Sequence, residues 1–364
     1  MALPTFPTID PAERRRRLAP PTGRLRVVID TDAANEIDDQ FALAWAFASR
    51  DRFDIEGVYA EPYFFGIYRD DLIRTADLLA AGAPLPEELA PLAGWVRGLS
   101  AAGRHPSEVP FVRPADGMER SYQEIRKVSA LMGADLDDRI FRGAPGYLTG
   151  TDAPIRSDAV DHLIERAMAP DDRPLYVVAI GCVTNVASAL LLEPRIVDRI
   201  VVVWTSGYPT WSGMYNYSFN LEQDLLASQL LFDSGVPLVY LPGYYLGAQL
   251  RLSLPEIEAW VKGRGAIGDY LHHLYLHNPL YPQRGIVERP GSSWVIWDLI
   301  NFAWLLEPSW VPTRFVPTPR LGDDQRWHAD GAPGHEMLEA YEINRNAIMI
   351  DFMAKLAAAA GPPR

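Results

Sequence analysis

Short apolar runs without polar alternation recur along this chain, and most are followed by a stretch with helical spacing. The runs are Arg26–Ile29, Ile55–Ala60, Leu175–Ile180, Ile200–Trp204 and Pro237–Tyr240. Phe41–Ala48, Asp71–Ala81, Asn185–Leu192 and Leu225–Asp233 carry helical patterns. A strand that is apolar on both faces must be covered on both, which calls for helices on either side of a parallel sheet. The expected fold class is therefore α/β: an open, mostly parallel, doubly wound Rossmann-like sheet. No linker-like break separates two complete sets of these units, so a single domain with loop insertions is expected over residues 24–355. An arm over 1–23 precedes it and a tail over 356–364 follows. Within the domain, Pro84–Pro114 is rich in Pro, Gly and Ala and reads as an insertion or long loop region. Thr205–Tyr217, rich in Gly, Ser, Tyr and Trp, reads as a functional loop.

Charge narrows the partners. The 364 residues hold 34 basic and 47 acidic side chains, a formal net charge of -13. Nucleic acid is recognised through a basic face, so it is excluded as an expected partner. A small molecule or a metal fits better. The single cysteine, Cys182, permits no intrachain disulfide and suits a reducing, cytoplasmic compartment. Arg14 to Arg17 are followed by no apolar segment, so the N-terminus reads as neither a secretory signal nor an anchor. The arginines read as a solvated charge run on a mobile or surface-draped arm. No stretch is long and apolar enough to span a bilayer.

The densest chemistry follows the first strand. Asp30-Thr31-Asp32-Ala33-Ala34-Asn35-Glu36-Ile37-Asp38-Asp39 packs five acids into ten residues, where a strand ends and a helix begins. In an open parallel sheet that end is where ligands bind. Helix capping accounts for one or two of these acids, at a few tenths to about 1 kcal/mol each. Five like charges repel unless something neutralises them, and a hard cation with carboxylate-oxygen ligands does so. Calcium is the expected ion. Asp30 reads as the structural member of the five.

These residues resemble the opening of the nucleoside hydrolase family: strand, Asp-x-Asp, short turn, Asp-Asp, apolar helix. Three later blocks follow in the family's order. Val178–Ala187 is similar to its strand-turn-helix segment ending Thr-Asn-(apolar)-Ala, Ser218-Phe219-Asn220 falls at its Glu-Phe-Asn, and Trp297-Asp298 at its His-Asp or Trp-Asp. Together the blocks span about residues 26–305. The departures are specific. The turn between the second and third acids has five residues, Ala33 to Ile37, where the family usually has three. The family's Glu is Ser218, and its Gly-Asn after the second strand is replaced by Glu61-Pro62-Tyr63-Phe64.

The resemblance implies a nucleosidase: metal-dependent hydrolysis of the N-glycosidic bond of a ribonucleoside or modified nucleoside, giving free base and ribose, as in nucleoside catabolism. It implies Asp32, Asp39, Asp298 and the Ile180 carbonyl as calcium ligands, with Asp32 also the general base. It implies Asp38, Asn35, Ser218 and Asn220 around the sugar and Trp297 beside the base. It also implies a homo-oligomer, dimer or tetramer. The lost sugar contacts point away from a plain ribonucleoside. Trp297, lacking a titratable proton, is expected to stack on the base, with Trp211 or Tyr208 on the opposite face, while Trp204, Tyr215 and Tyr217 are further candidates for a base pocket. Thr184 and Asn185 read as helix caps. His272, His273 and His277 are candidates for the pocket rim; no HExxH-type glutamate lies between the last two, so a zinc site is not expected. Two other classes remain open: a nucleoside- or sugar-binding protein that kept the metal without catalysis, and a metal phosphohydrolase, whose phosphate-neutralising lysine motif is missing here.

Overall fold

The structure is a computed structural model that describes residues 5–287 and 291–360. Among them, eight strands form one sheet: β1 (Leu25–Thr31), β2 (Phe53–Ala60), β3 (Ile140–Arg142), β4 (Leu175–Ala179), β5 (Ile200–Ser206), β6 (Leu238–Pro242), β7 (Thr313–Pro317) and β8 (Glu336–Ala340). Their order is β3-β2-β1-β4-β5-β6-β8-β7. All neighbours pair parallel except β8 with β7, which close one edge antiparallel.

β1, β4, β5 and β6 are buried at every position. Their alternate residues enter two separate apolar layers. Val27 and Ile29 pack with Phe41, Trp45 and Phe352 on one face, and Val28 packs with Leu163, Leu190 and Phe232 on the other. Both faces being dry is why these strands show no alternation in sequence. This is the mostly parallel, doubly wound α/β architecture expected.

Several elements had no clear signature. Helices Pro114–Met132, Asp158–Met168 and Arg345–Ala359, and strands β3, β7 and β8, were not anticipated. β7 is exposed or half-exposed along its length, as an edge strand can be, so it lacks the apolar run that marks the central strands. The region 84–114 is largely helical rather than open loop, with an α-helix at Ala93–Ala101 between short 3-10 turns at Glu87–Leu92 and Pro106–Glu108. It covers a third apolar cluster containing Phe65, Tyr68, Trp95 and Leu99.

The arm is also more ordered than a solvated run. Pro11–Arg17 forms a helix capped by Asp10. Arg14 is buried and donates to the Gly235 carbonyl at 2.6 Å, Arg15 pairs with Glu336 at 2.8 Å, and Arg16 and Arg17 pair with Glu13. Helical winding turns one arginine inward and leaves the rest carboxylate partners. Residues 1–4 of the arm and 361–364 of the tail lie outside the described residues, and helix Arg345–Ala359 runs through position 355. Among the described residues no helix is long and apolar enough to cross a membrane.

Candidate active site

β1 and β4 are neighbours, yet the chain leaves β1 toward β2 on one side and β4 toward β5 on the other. The crevice at their carboxyl ends is the topological switch point, where the loops diverge and leave room for a ligand. Asp30 lies opposite Ala179 in the β1–β4 register, so the next residues, Thr31-Asp32 and Ile180, enter the crevice side by side. Two helices begin there as well. Asp38 and Asp39 are the first residues of Asp38–Ala48, and Asp298 is the N-cap of Leu299–Leu306. Each helix N-terminus brings partial positive charge to the carboxylates.

The nine residues that the resemblance implies for metal, sugar and base line one cavity of about 140 Å³: Asp32, Asn35, Asp38, Asp39, Ile180, Ser218, Asn220, Trp297 and Asp298. Carboxylate oxygens of Asp38, Asp39 and Asp298 lie within 4.8 Å of one another. Asp38 therefore belongs to the compact triad, and Asp32 stands beside it. Oδ2 of Asp32 accepts from Asn35 Nδ2 at 2.7 Å and Gln223 Nε2 at 3.1 Å, while Oδ1 is buried without a protein partner. Thr31 Oγ1 donates to Asp39 at 2.5 Å. The five-residue turn passes through Ala34 at φ 79°, which brings Asn35 back to Asp32; Asn35 Oδ1 is buried and unpartnered.

Among the described residues, no lysine or arginine lies within 4.0 Å of Asp32, Asp38, Asp39 or Asp298. Burial raises the Asp39 carboxyl to about 7. Burial, reinforced by the neighbouring acids, pushes Asp32, Asp38 and Asp298 well above the usual carboxylate range. Desolvation and mutual repulsion both disfavour the charged forms, and a cation would relieve both.

A second tier supports the first. Asp30 does not reach the cavity; it accepts from Asn185 Nδ2 at 2.8 Å and is raised to about 6 by burial. Glu61, at the end of β2, is buried near it, and burial and the Asp30 charge hold its carboxyl well above the usual range. Thr184 and Asn185 are not caps. The helix they open has Val183 at its N-cap with no side-chain bond, while Thr184 donates to Asp224 at 2.7 Å and Asn185 spans from Asp30 to the Ala144 amide. Their side chains tie loops together because both are fully buried, with no solvent-facing turn to cap.

The base-side wall matches expectation only in part: Tyr217 lines the cavity with Trp297, and the other aromatic candidates do not. Tyr208 and Trp211 do not line the cavity. Tyr208 stacks on Tyr244 at 4.3 Å, and Trp211 lies on Tyr245 with 64% of its surface exposed. Tyr244 itself meets Trp297 edge-on at 5.8 Å. Trp204 is in the core, bonded to the Gly181 carbonyl. None of His272, His273 or His277 lines the cavity, because their helix, Gly265–Leu276, packs at some remove from it. Sequence reasoning missed Tyr68, Tyr244 and Arg284, which do line it, and Gln223. Arg284 lies 3.9 Å from Glu36 and over the rings of Phe65 and Trp95. No motif marks these four; they arrive from separate segments of the chain.

Comparison with known proteins gives the chain's family and fold. The model of the inosine-uridine preferring nucleoside hydrolase family matches residues 27–332. The chain is 29% identical over 169 residues to an inosine-uridine preferring nucleoside hydrolase of Crithidia fasciculata, covering 44% of this chain and 50% of that protein. It is 31% identical over 177 residues to a pyrimidine-specific ribonucleoside hydrolase of Escherichia coli O1:K1, covering 46% and 55%. The matched segments thus span about half the length of these curated relatives. A purine-preferring ribonucleoside hydrolase from Gardnerella vaginalis shares the fold over 92% of this chain and 99% of its own, with a TM-score of 0.60 at 18% identity. With a family match reaching from β1 past the Trp297-Asp298 block, the chain belongs to the inosine-uridine preferring nucleoside hydrolase family.

Proposed function

We propose that this protein hydrolyses the N-glycosidic bond of a ribonucleoside or modified nucleoside, releasing free base and ribose, with calcium as its metal. The observation that carries this reading is the convergence of four buried carboxylates, with no described lysine or arginine within 4.0 Å of them, in the cavity that also holds Asn35, Asn220 and Trp297. The donors fit a hard cation, because every candidate ligand is an oxygen and no cysteine or histidine joins them. Asp32, Asp39, Asp298 and the Ile180 carbonyl would hold it, and the triad geometry adds Asp38 to that set. When bound, calcium supplies positive charge and further oxygen-binding positions in the cavity.

The protein's own groups do the rest. Asp32, with one oxygen anchored by two amides and the other free, accepts the proton of the attacking water. The unpartnered Oδ1 of Asn35 accepts from a sugar hydroxyl. Asn220 commits Nδ2 to the Ile180 and Thr205 carbonyls, which leaves its Oδ1 for another hydroxyl. Ser218, bonded to Ser206 at 3.1 Å, supplies only a short hydroxyl where the family has a carboxylate. That loss favours a modified nucleoside or related N-glycoside over uridine or inosine. A cytoplasmic dimer or tetramer fits the lone buried cysteine and the family resemblance.

Free-base release from a panel of ordinary and modified ribonucleosides, with calcium present, tests the reading. Turnover of a modified nucleoside is expected. A kcat/KM of the order of 10⁴ M⁻¹s⁻¹ or above on uridine or inosine would overturn the substrate preference. Calcium-dependent binding with no release from any member would turn the site into a binding module.

A further inference from the structure

Breaking an N-glycosidic bond leaves the electron pair on a base nitrogen, which must gain a proton to leave as a neutral molecule. Trp297 has none to give, and the three histidines are outside the cavity. Tyr68 does line it, at the end of the turn Phe65–Tyr68, and is nearly fully buried. Its hydroxyl donates to Glu222 Oε2 at 2.5 Å. Glu222 does not reach the cavity. It sits behind Tyr68 on the turn Phe219–Glu222, and its other oxygen accepts from Tyr215 at 3.2 Å. Glu222 also lies one helical turn beyond Ser218, where the family's glutamate is missing.

We propose that Tyr68 protonates the departing base and that Glu222 behind it resupplies the tyrosine's proton. This rests on the N-ribosyl hydrolysis reading above. The C1′–N bond breaks and its electron pair goes to the base nitrogen. In the neutral form the proton of this short contact sits on Glu222 Oε2 and the Tyr68 O–H turns to the base; the base nitrogen takes the Tyr68 proton, and Tyr68 takes the proton of Glu222. The water that adds at C1′ gives its proton to Asp32. One water is consumed, and the proton on Asp32 returns to Glu222 through solvent, which closes the balance. Concerted resupply matters because burial pushes Tyr68 well above the usual phenol range, so a tyrosinate left alone would be disfavoured. The charge ends instead on a carboxylate that keeps two tyrosine hydroxyls as donors.

The surroundings suit a carboxyl that is neutral near physiological pH. Burial raises Glu222 to about 7, against the lowering bonds from Tyr68 and Tyr215, and Asp71 on the neighbouring helix Arg69–Ala80 adds to the rise. The tyrosines Tyr217 and Tyr244 and the cation Arg284 also face this group of side chains. Above about 7 the ionised Glu222 holds the Tyr68 proton instead of replacing it. The rate on a nucleoside should therefore fall as pH rises through about 7.

The test compares two leaving groups in the calcium-loaded protein: p-nitrophenyl β-D-ribofuranoside, whose phenolate leaves without a proton, and the best-cleaved member of adenosine, inosine, cytidine, uridine and their methylated derivatives. In Glu222→Gln and Tyr68→Phe, the ratio of nucleoside to nitrophenyl turnover should drop roughly 10²- to 10⁴-fold, the usual weight of general acid catalysis. The alkaline limb near pH 7 should vanish in Glu222→Gln. Equal losses on both substrates, or an unchanged ratio, would overturn the relay. Wild-type protein that cleaves neither substrate would instead sink the hydrolase reading beneath it.

Discussion

At the scale of single residues, the roles proposed for the cavity aspartates can be told apart by substitution. Asp39 and Asp298 have oxygens within the triad, and removing either leaves the remaining carboxylates without the geometry to hold an ion. Asp39→Ala and Asp298→Ala are expected to lose calcium as read by metal analysis, which should find about one per chain in untreated wild type. Asp32→Asn keeps an oxygen at the site but cannot accept a proton. It is expected to retain metal and to lose turnover by roughly 10²-fold or more. Wild-type turnover in Asp32→Asn would remove Asp32 as the base. The Asp-rich run announced Asp32, Asp38 and Asp39, because its charge density had no other economical explanation, while Asp298 was named only through the family resemblance at Trp297-Asp298. Gln223, Tyr68 and Arg284 carried no such signal. Each is an ordinary residue in its own segment, and acquires meaning only by what it meets across the cavity.

At the scale of elements, burial separated what could be read from what could not. β1, β4, β5 and β6 were visible because both their faces are dry, and the helices Asp38–Ala48, Arg69–Ala80, Thr184–Leu192 and Leu225–Asp233 because their segments carry helical spacing. The edge strand β7 was hidden because exposure dilutes its pattern. The arm shows the same limit. Four consecutive arginines look solvated in a linear sequence, but a helix distributes them around its axis, and Arg14 lands against the loop before β6. Arg14→Ala would leave the Gly235 carbonyl without this donor and open a gap under the helix. A loss of about 1–3 kcal/mol in chemical denaturation is expected. A change within ±0.5 kcal/mol would mean that the arm is merely draped.

For the whole molecule, the crevice depends on β1 and β4 being neighbours, and its carboxylates store repulsion that an ion would discharge. Helices Asp38–Ala48 and Leu299–Leu306, separated by some 250 residues of chain, both begin at this point. Binding an ion there should therefore brace the fold as well as the chemistry. Chelation is expected to lower Tm and added calcium to restore it. At a hundred-fold excess over Kd, linkage predicts about 2.7 kcal/mol of added stability. A Tm indifferent to both chelator and calcium would contradict a cation in the triad.

The sequence by itself determined the fold class and the switch-point location of the acid run at Asp30–Asp39, because local periodicity and dense like charge are properties of short segments, while the other cavity residues were named through the family resemblance of three short blocks. Only the tertiary structure decided that Asp38 joins the triad, that Tyr244 rather than Tyr208 stands against Trp297, and that Tyr68 is backed by Glu222. Those facts depend on side chains from distant segments meeting at angstrom range, and no segment alone encodes where its partner will stand.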